Sequence, residues 1–96
     1  MATYVALINW TEKGIKEVKD SPARADKAKA LAKKLGGDMK QLYLTMGSHD
    51  LVAIIEMPND EAMAKFALTV GSGGHIRTTT LKAFDEATYR KLVGSV

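Results

Sequence analysis

The sequence predicts an α+β fold, because short runs of β-type residues are interleaved with longer segments whose apolar residues recur three and four positions apart. Four runs have the strand pattern, and two longer segments have the helix pattern. Their order along the chain is strand, helix, strand, strand, helix, strand, followed by a short last helix. This βαββαβ order predicts a ferredoxin-like sandwich with a four-stranded antiparallel sheet and helices on one side.

Length and composition limit the classes of function. We expect residues 1–96 to form one domain, with the 46% hydrophobic and 26% charged residues typical of soluble proteins. The chain has no cysteine, which excludes disulfides, thiolate catalysis and Cys-ligated metal centres. No basic leader with an apolar core and no apolar run of the ~20 residues that a membrane span needs is visible, so we expect a cytoplasmic protein without a membrane partner.

The first strand is predicted from Thr3 to Trp10, and a short helical turn capped by Thr11 follows it to Val18. Both faces of this strand are largely apolar. One face carries Tyr4, Ala6, Ile8 and Trp10, and the other carries Val5, Leu7 and Asn9. The pattern alone therefore does not decide which set packs against the helices.

The first long helix is predicted to begin with Ser21 as its N-cap and Pro22 at its first position, and to end at Gly36-Gly37. Its apolar stripe consists of Ala25, Ala28, Leu31, Ala32 and Leu35. Most of the net charge of +3 comes from Arg24 to Lys40, with lysines at positions 27, 29, 33 and 34 off the stripe. We interpret them as a solvated face and expect no nucleic-acid partner, because no aromatic or arginine residues are interleaved with the lysines.

A hairpin is predicted from Met39 to Met46 and from Asp50 to Met57. A two-residue type II′ loop at Gly47-Ser48 would pair Met46 with His49 and Thr45 with Asp50. One face is then apolar and suited to the core: Leu42, Leu44, Leu51, Ala53, Ile55 and Met57. The other face carries Gln41, Tyr43, Thr45, Asp50, Val52, Ile54 and Glu56. Apolar residues in the middle of that face predict a second copy as its cover, and so a homo-oligomer that is a dimer or larger.

The second long helix is predicted to be capped by Asn59 or Asp60 and to end at Gly71, with Ala62, Phe66, Ala67 and Val70 as its buried stripe. The fourth strand is predicted from Ile76 to Phe84, and a last helix capped by Asp85 extends to Leu92. The glycine-rich turn at residues 71–74 follows a helix and precedes a strand, which is the reverse of a phosphate-binding loop. We interpret it as a helix stop and a tight turn.

Two segments resemble the signature of the GYD-domain family: Leu44 to Pro58, with Gly47, Asp50 and Glu56 in the family pattern, and Gly71 to Phe84. His49 stands at the position of the signature tyrosine. Residues 9–16 and 20–22 also look like the amino-terminal half of the family. The resemblance implies a ferredoxin-like protein that pairs its sheets into a dimeric α+β barrel, and most members of this family have no assigned activity.

His49 and Asp50 are the candidates for catalysis, because an imidazole can transfer protons near neutral pH. An adjacent carboxylate can stabilise the charged form of that imidazole. The structural alternative has Asp50 accepting backbone N–H groups in the turn and His49 at an oligomer contact. We favour it, because adjacent strand residues point to opposite faces. His49, Asp50 and His75 lack the spacing of common zinc motifs, so no metal or other cofactor is expected, and a site shared between subunits is left open.

A small-molecule site is predicted at Trp10, Tyr43, Asp50, Arg77 and Thr80, where an aromatic wall, a cation and hydroxyls would suit a partly aromatic, weakly acidic ligand. The function predicted from the sequence is therefore an oligomeric ligand-binding or assembly module. The alternative is a cofactor-independent oxygenase or isomerase that acts on a small aromatic or carbonyl compound in the barrel cavity. An RNA-binding module is a third candidate, but the exposed aromatic motifs it requires are absent.

Overall fold

The computed structural model describes every residue from Met1 to Val96. The elements follow the predicted order, with a single 3-10 turn (Val18–Asp20) between the first two helices. They are β1 (Ala2–Trp10), α1 (Glu12–Lys16), α2 (Ser21–Lys34), β2 (Asp38–Leu44), β3 (Leu51–Met57), α3 (Asp60–Ser72), β4 (Ile76–Ala83) and α4 (Glu86–Gly94). None of these helices has both the length and the apolar character needed to cross a membrane.

The four strands form one antiparallel sheet in the order β2-β3-β1-β4. Because β1 and β3 are its central strands, each is paired along both of its edges. This is the strand order of a ferredoxin-like sandwich, so the predicted fold class is confirmed.

The structure decides the orientation of β1. Tyr4, Ala6 and Ile8 are buried beneath the helices, which leaves Val5 and Leu7 on the open face of the sheet. The core also contains Ala32 from α2, Ala53, Ile55 and Met57 from β3, and Met63 and Phe66 from α3. The predicted core face of the hairpin is confirmed for Leu42, Leu51, Ala53, Ile55 and Met57, whereas Leu44 at the end of β2 is exposed.

The predicted register of the hairpin is confirmed, because Leu44 pairs with Leu51 and Gln41 pairs with Ile54. A β-bulge between Met39 and Gln41 then shifts the register by one residue. The loop is wider than the predicted two-residue turn. Its first hydrogen bond runs from the Thr45 N–H to the Asp50 carbonyl (2.8 Å), and no ladder bond joins Met46 and His49.

Three of the predicted helix caps are present. Thr11 Oγ1 accepts the N–H of Gly14, Asn59 Oδ1 accepts that of Ala62, and Asp85 Oδ1 accepts that of Thr88. The fourth prediction, Ser21 as the N-cap of α2, is wrong by one residue. The 3-10 turn continues directly into α2, so Ser21 is already helical and Asp20 occupies the cap position without a side-chain bond.

Candidate functional site

The residues of the predicted ligand site lie on two faces of the sheet. Thr80 pairs with Ala6 and Trp10 lies in line with Ile8, so both belong to the helix-covered side. Tyr43 pairs with Val52 and Arg77 pairs with Asn9, which places both on the open face. One protomer therefore does not bring Trp10 and Thr80 together with Tyr43 and Arg77 around one cavity.

Asp50 joins the hairpin to the end of β1. Its Oδ2 accepts the backbone N–H of Trp10 at 2.9 Å, while its own N–H donates to the carbonyl of Ile8 at 2.9 Å. The structural interpretation predicted a backbone donor for this carboxylate within the turn. The donor is instead a residue of the neighbouring strand, so Asp50 fixes where β1 and β3 separate.

His49 binds a different partner. Its Nδ1 lies 2.9 Å from Asn9 Oδ1, and Asn9 Nδ2 donates to the carbonyl of Ser48 at 2.9 Å. A carboxamide oxygen can only accept, so Nδ1 carries the hydrogen in this contact, and in a neutral imidazole Nε2 would be the acceptor nitrogen. No hydrogen bond joins His49 to Asp50, so the two side chains do not form a catalytic dyad within the protomer.

His75 lies in the connection between α3 and β4. Its carbonyl accepts the N–H of Thr11 at 3.0 Å, and its Nε2 is 3.6 Å from Glu17 Oε2. Within the chain, no three His, Asp or Glu side chains are grouped closely enough to hold a metal ion. The two histidines thus have separate partners, an amide for His49 and a carboxylate for His75.

The open face of the sheet carries an apolar band made of two rows that cross all four strands. One row is Gln41, Ile54, Val5 and Leu81, and the other is Tyr43, Val52, Leu7 and Thr79. Tyr43 and Leu81 at the two edges are 52% and 48% exposed. No helix of the protomer covers the band, although its centre is as apolar as a strand core.

Polar residues border the apolar band at both ends. At one end, Lys40 lies 3.5 Å from Asp38 and 3.8 Å from Glu56. At the other end are Asn9, His49 and Arg77, and Arg77 forms no salt bridge. An apolar centre surrounded by polar residues is the usual composition of a protein interface.

A second apolar surface lies on α4. Tyr89, Leu92 and Val93 are spaced as i, i+3 and i+4, and they are 57%, 49% and 57% exposed. An Arg90–Glu86 ion pair at 2.8 Å lies beside this stripe, and Lys91 lies on the opposite side of the helix. The helix is therefore amphipathic, but its apolar stripe touches no core of its own protomer.

A cavity of about 360 Å³ lies between α2, α3 and the helix-covered face of the sheet. Its walls are mainly apolar and include Ala28, Leu31, Leu42, Leu51 and Val70, with Arg24 among the few polar residues. Sequence reasoning missed this site. The signal was present in the stripe of α2, whose small residues Ala25 and Ala28 leave space that larger side chains would fill.

A polar cluster fastens the start of α3 to the sheet. The Tyr4 hydroxyl donates to Asp60 Oδ1, and Lys82 Nζ lies 3.1 Å from the same oxygen. Burial, and then the bond to Asp60, raises the pKa of Tyr4 from 10.0 to about 12. The bond from Tyr4, followed by that from Lys82, lowers the pKa of Asp60 below its usual value. A phenol that is so weakly acidic stays protonated, so this cluster is a structural tie.

Comparison with known proteins supports the fold and finds a relative that is itself described as a binding protein. A relative from Thermus thermophilus, described as a glutamine synthetase and cystathionine beta-lyase binding protein, is 26% identical over 88 residues, which are 91% of this chain and 93% of the relative.

Two crystal structures share the fold. That of TTHA0845, also from Thermus thermophilus, has a TM-score of 0.57 and 23% identity over 88% of this chain and 95% of that one. That of the leucine response regulatory protein LrpA from Mycobacterium tuberculosis has a TM-score of 0.58 and 13% identity over 88% of this chain and 51% of that one. This chain thus spans about half of LrpA.

The family model of the GYD domain matches residues 4–93, which is nearly the whole chain. This match confirms the resemblance carried by Gly47, Asp50, Glu56 and the Thr-rich fourth strand. The chain belongs to the GYD domain family.

Proposed function

We propose that this chain is a homo-oligomeric binding module, in which a second copy covers the apolar band and α4 binds a protein partner. The observation that carries the proposal is the apolar band itself. Two rows, in which six of the eight residues are apolar, cross the open face of the sheet on the side away from the core. A sheet face left to water is normally polar, so this face is suited to burial.

Pairing two such faces would form a closed two-sheet core. A stable interface typically buries about 800 Å² on each partner, which is comparable to one face of a small four-stranded sheet. The polar residues at the ends of the band, including Lys40 and Arg77, would then lie at the rim. We further propose that residues 1–96 act as one domain in this oligomer. We also propose that the protein is cytoplasmic.

The partner class is suggested by the relative that is described as binding glutamine synthetase and cystathionine beta-lyase. In this chain, the stripe of Tyr89, Leu92 and Val93 is available for such a contact. Amphipathic helices commonly bind by laying an apolar stripe into a groove of another protein. We therefore propose that α4 contacts an enzyme of nitrogen or sulfur amino-acid metabolism.

An enzymatic role at His49 and Asp50 has less support. Asp50 Oδ2 is engaged by the Trp10 N–H, and His49 Nδ1 is engaged by Asn9. Both contacts hold the hairpin against β1, so each side chain has a structural role without any substrate. The cofactor-independent oxygenase or isomerase thus remains the second hypothesis.

The test is direct binding between purified proteins. Glutamine synthetase and cystathionine beta-lyase from the organism that encodes this chain would be titrated against the immobilised chain by biolayer interferometry. We expect saturable binding to at least one enzyme, and at least tenfold weaker binding by Leu92→Lys.

The matched control is Lys91→Gln, which changes the neighbouring residue of α4 and lies off the apolar stripe. Its binding should equal that of the unmodified chain. Absence of binding to both enzymes, or equal loss in the two variants, would reject the partner class or the assignment to α4.

A further inference from the structure

The cavity between α2, α3 and the sheet contains a charged group whose hydrogen bonds are incomplete. Arg24 lines the cavity, and its Nη1 donates to the carbonyl of Glu17 at 3.1 Å. Its Nη2 is buried and has no hydrogen-bond partner. A guanidinium has five N–H donors, and only one of those on Arg24 is engaged within the protomer, so an anionic group in the cavity can pair with this side chain.

The charges around Arg24 indicate a ligand with a single negative charge. His75 also lines the cavity, but any positive charge on its imidazole is balanced by the Glu17 carboxylate 3.6 Å away. Ser21, one turn before Arg24 on α2, adds a hydroxyl that makes no hydrogen bond within the protomer. Lys27 lines the cavity as well but is exposed and solvated. One half-buried cation and one hydroxyl donor suit a monoanionic head group.

The rest of the cavity suits an apolar body. Leu31, Leu42, Leu51, Val70 and Ile76 line it, and the hydroxyl of Thr69 already donates to the carbonyl of Lys65. The volume of about 360 Å³ is near the lower end of the range of about 300 to 1,000 Å³ for small-molecule sites. A compact ligand with one polar end therefore fits better than a large or uniformly polar one.

We propose that this cavity binds a small amphipathic monocarboxylate, with its carboxylate paired to the Arg24 guanidinium and its hydrocarbon part against Leu31, Leu42 and Val70. This site is separate from the apolar band and from α4. The proposal is therefore independent of the proposed oligomer and protein partner. A negative result for the cavity would leave both of those proposals intact.

The first experiment compares three probes of equal chain length on the unmodified protein. Octanoate, octanol and octylamine would each be titrated into the 15N-labelled protein and followed by 1H-15N NMR. We expect octanoate to give saturable shifts at α2, α3 and β3, and to bind at least tenfold more tightly than either of the other probes.

Equal affinity for octanoate and octanol would overturn the role of Arg24, because an uncharged head would then bind as well as the anion. The absence of saturable shifts at the cavity residues would overturn the site itself. Both results are obtained with the unmodified protein, so they do not depend on whether a variant folds.

The second experiment removes the cation. Arg24→Gln keeps a polar side chain at that position but loses the positive charge, and we expect octanoate to bind it at least tenfold less tightly while octanol binding is unchanged. The matched control is Lys29→Gln on the same helix, outside the cavity, which should bind octanoate like the unmodified protein. Equal weakening in both variants would show that general positive charge, rather than Arg24, attracts the anion.

Discussion

Gly14 occupies one of the closest backbone contacts in the molecule. A Cβ atom added there would lie 1.9 Å from the carbonyl oxygen of His75 and 2.9 Å from its carbonyl carbon. The same carbonyl accepts the N–H of Thr11, so it cannot move away without breaking the junction of β1 and α1. We expect Gly14→Ala to lower the free energy of unfolding by about 1 to 3 kcal/mol in urea denaturation.

The matched control for Gly14 is Gly71→Ala. Gly71 is a helical residue of α3, and no atom lies within 4 Å of its added Cβ. Alanine is the better helix former, so this variant should be as stable as the unmodified protein or more stable by up to about 1 kcal/mol. If Gly14→Ala matched Gly71→Ala, the proposed clash with His75 would be refuted.

Asp50 offers a second test at the residue scale. Replacing it by alanine leaves the part-buried N–H of Trp10 without its acceptor, which should cost about 1 to 3 kcal/mol of stability. Asp50→Asn retains an oxygen that can accept the same bond, so it should be milder. Urea titrations of the two variants would show the difference, and an unfolding midpoint for Asp50→Ala equal to that of the unmodified protein would contradict this role.

The sequence identified which hairpin residues have unusual structural roles, but it did not identify the residues that they contact. The type II′ turn predicted at Gly47-Ser48 requires a positive φ at Gly47, and the φ of Gly47 is +117°. The acceptor role of Asp50 was also expected, but its donor Trp10 is 40 positions away in the chain. Local patterns identify which residues have unusual chemistry, whereas the contacts between distant strands depend on tertiary register.

At the scale of elements, the orientation of β1 illustrates the same limit. Both faces of this strand are apolar, so alternation alone was ambiguous. One contact that only the observed orientation allows is the bond from the Tyr4 hydroxyl to Asp60 at the start of α3. The cavity beside α2 was missed for a related reason, because a stripe of alanines predicts burial without predicting how closely the neighbouring helix packs.

The cluster of Tyr4, Asp60 and Lys82 predicts how stability depends on pH. The pKa of Tyr4 is raised to about 12, so its stabilising contribution is complete below pH 10.0 and is lost as the pH rises through the folded value. The pKa of Asp60 is lowered, so its contribution is present above the usual value of 3.8 and is lost as the pH falls through the folded value. The folded state should therefore become less stable at both strongly acidic and strongly alkaline pH.

Tyr4→Phe tests this pH dependence, because it removes the hydroxyl and keeps the ring. The free energy of unfolding of this variant, measured in urea across the acidic and alkaline ranges, should fall less steeply at both ends than that of the unmodified protein. Tyr89→Phe is the matched control, since Tyr89 is exposed on α4 and belongs to no such cluster. Identical pH profiles for all three proteins would exclude the cluster as the cause.

At the scale of the whole molecule, the protomer is flat and extended. Its Cα radius of gyration is 14.2 Å and its principal extents are 48 × 31 × 17 Å. A compact domain of this length would have a radius of gyration of about 12 to 13 Å. The excess is consistent with a two-layer slab that has an open sheet face and a projecting α4.

Ile54 lies at the centre of the apolar band, between Val5 of β1 and Gln41 of β2. If a second copy covers the band, Ile54→Lys would bury a charge between two apolar faces and prevent their pairing. We expect light scattering at micromolar concentration to give an oligomer for the unmodified protein and a monomer for Ile54→Lys.

Leu68→Lys is the matched control, because Leu68 is an equally apolar residue that is 75% exposed on α3. It should leave the oligomer intact, and circular dichroism should show that both variants remain folded. A monomeric unmodified protein, or an unchanged mass for Ile54→Lys, would mean that something other than self-association accounts for the apolar band.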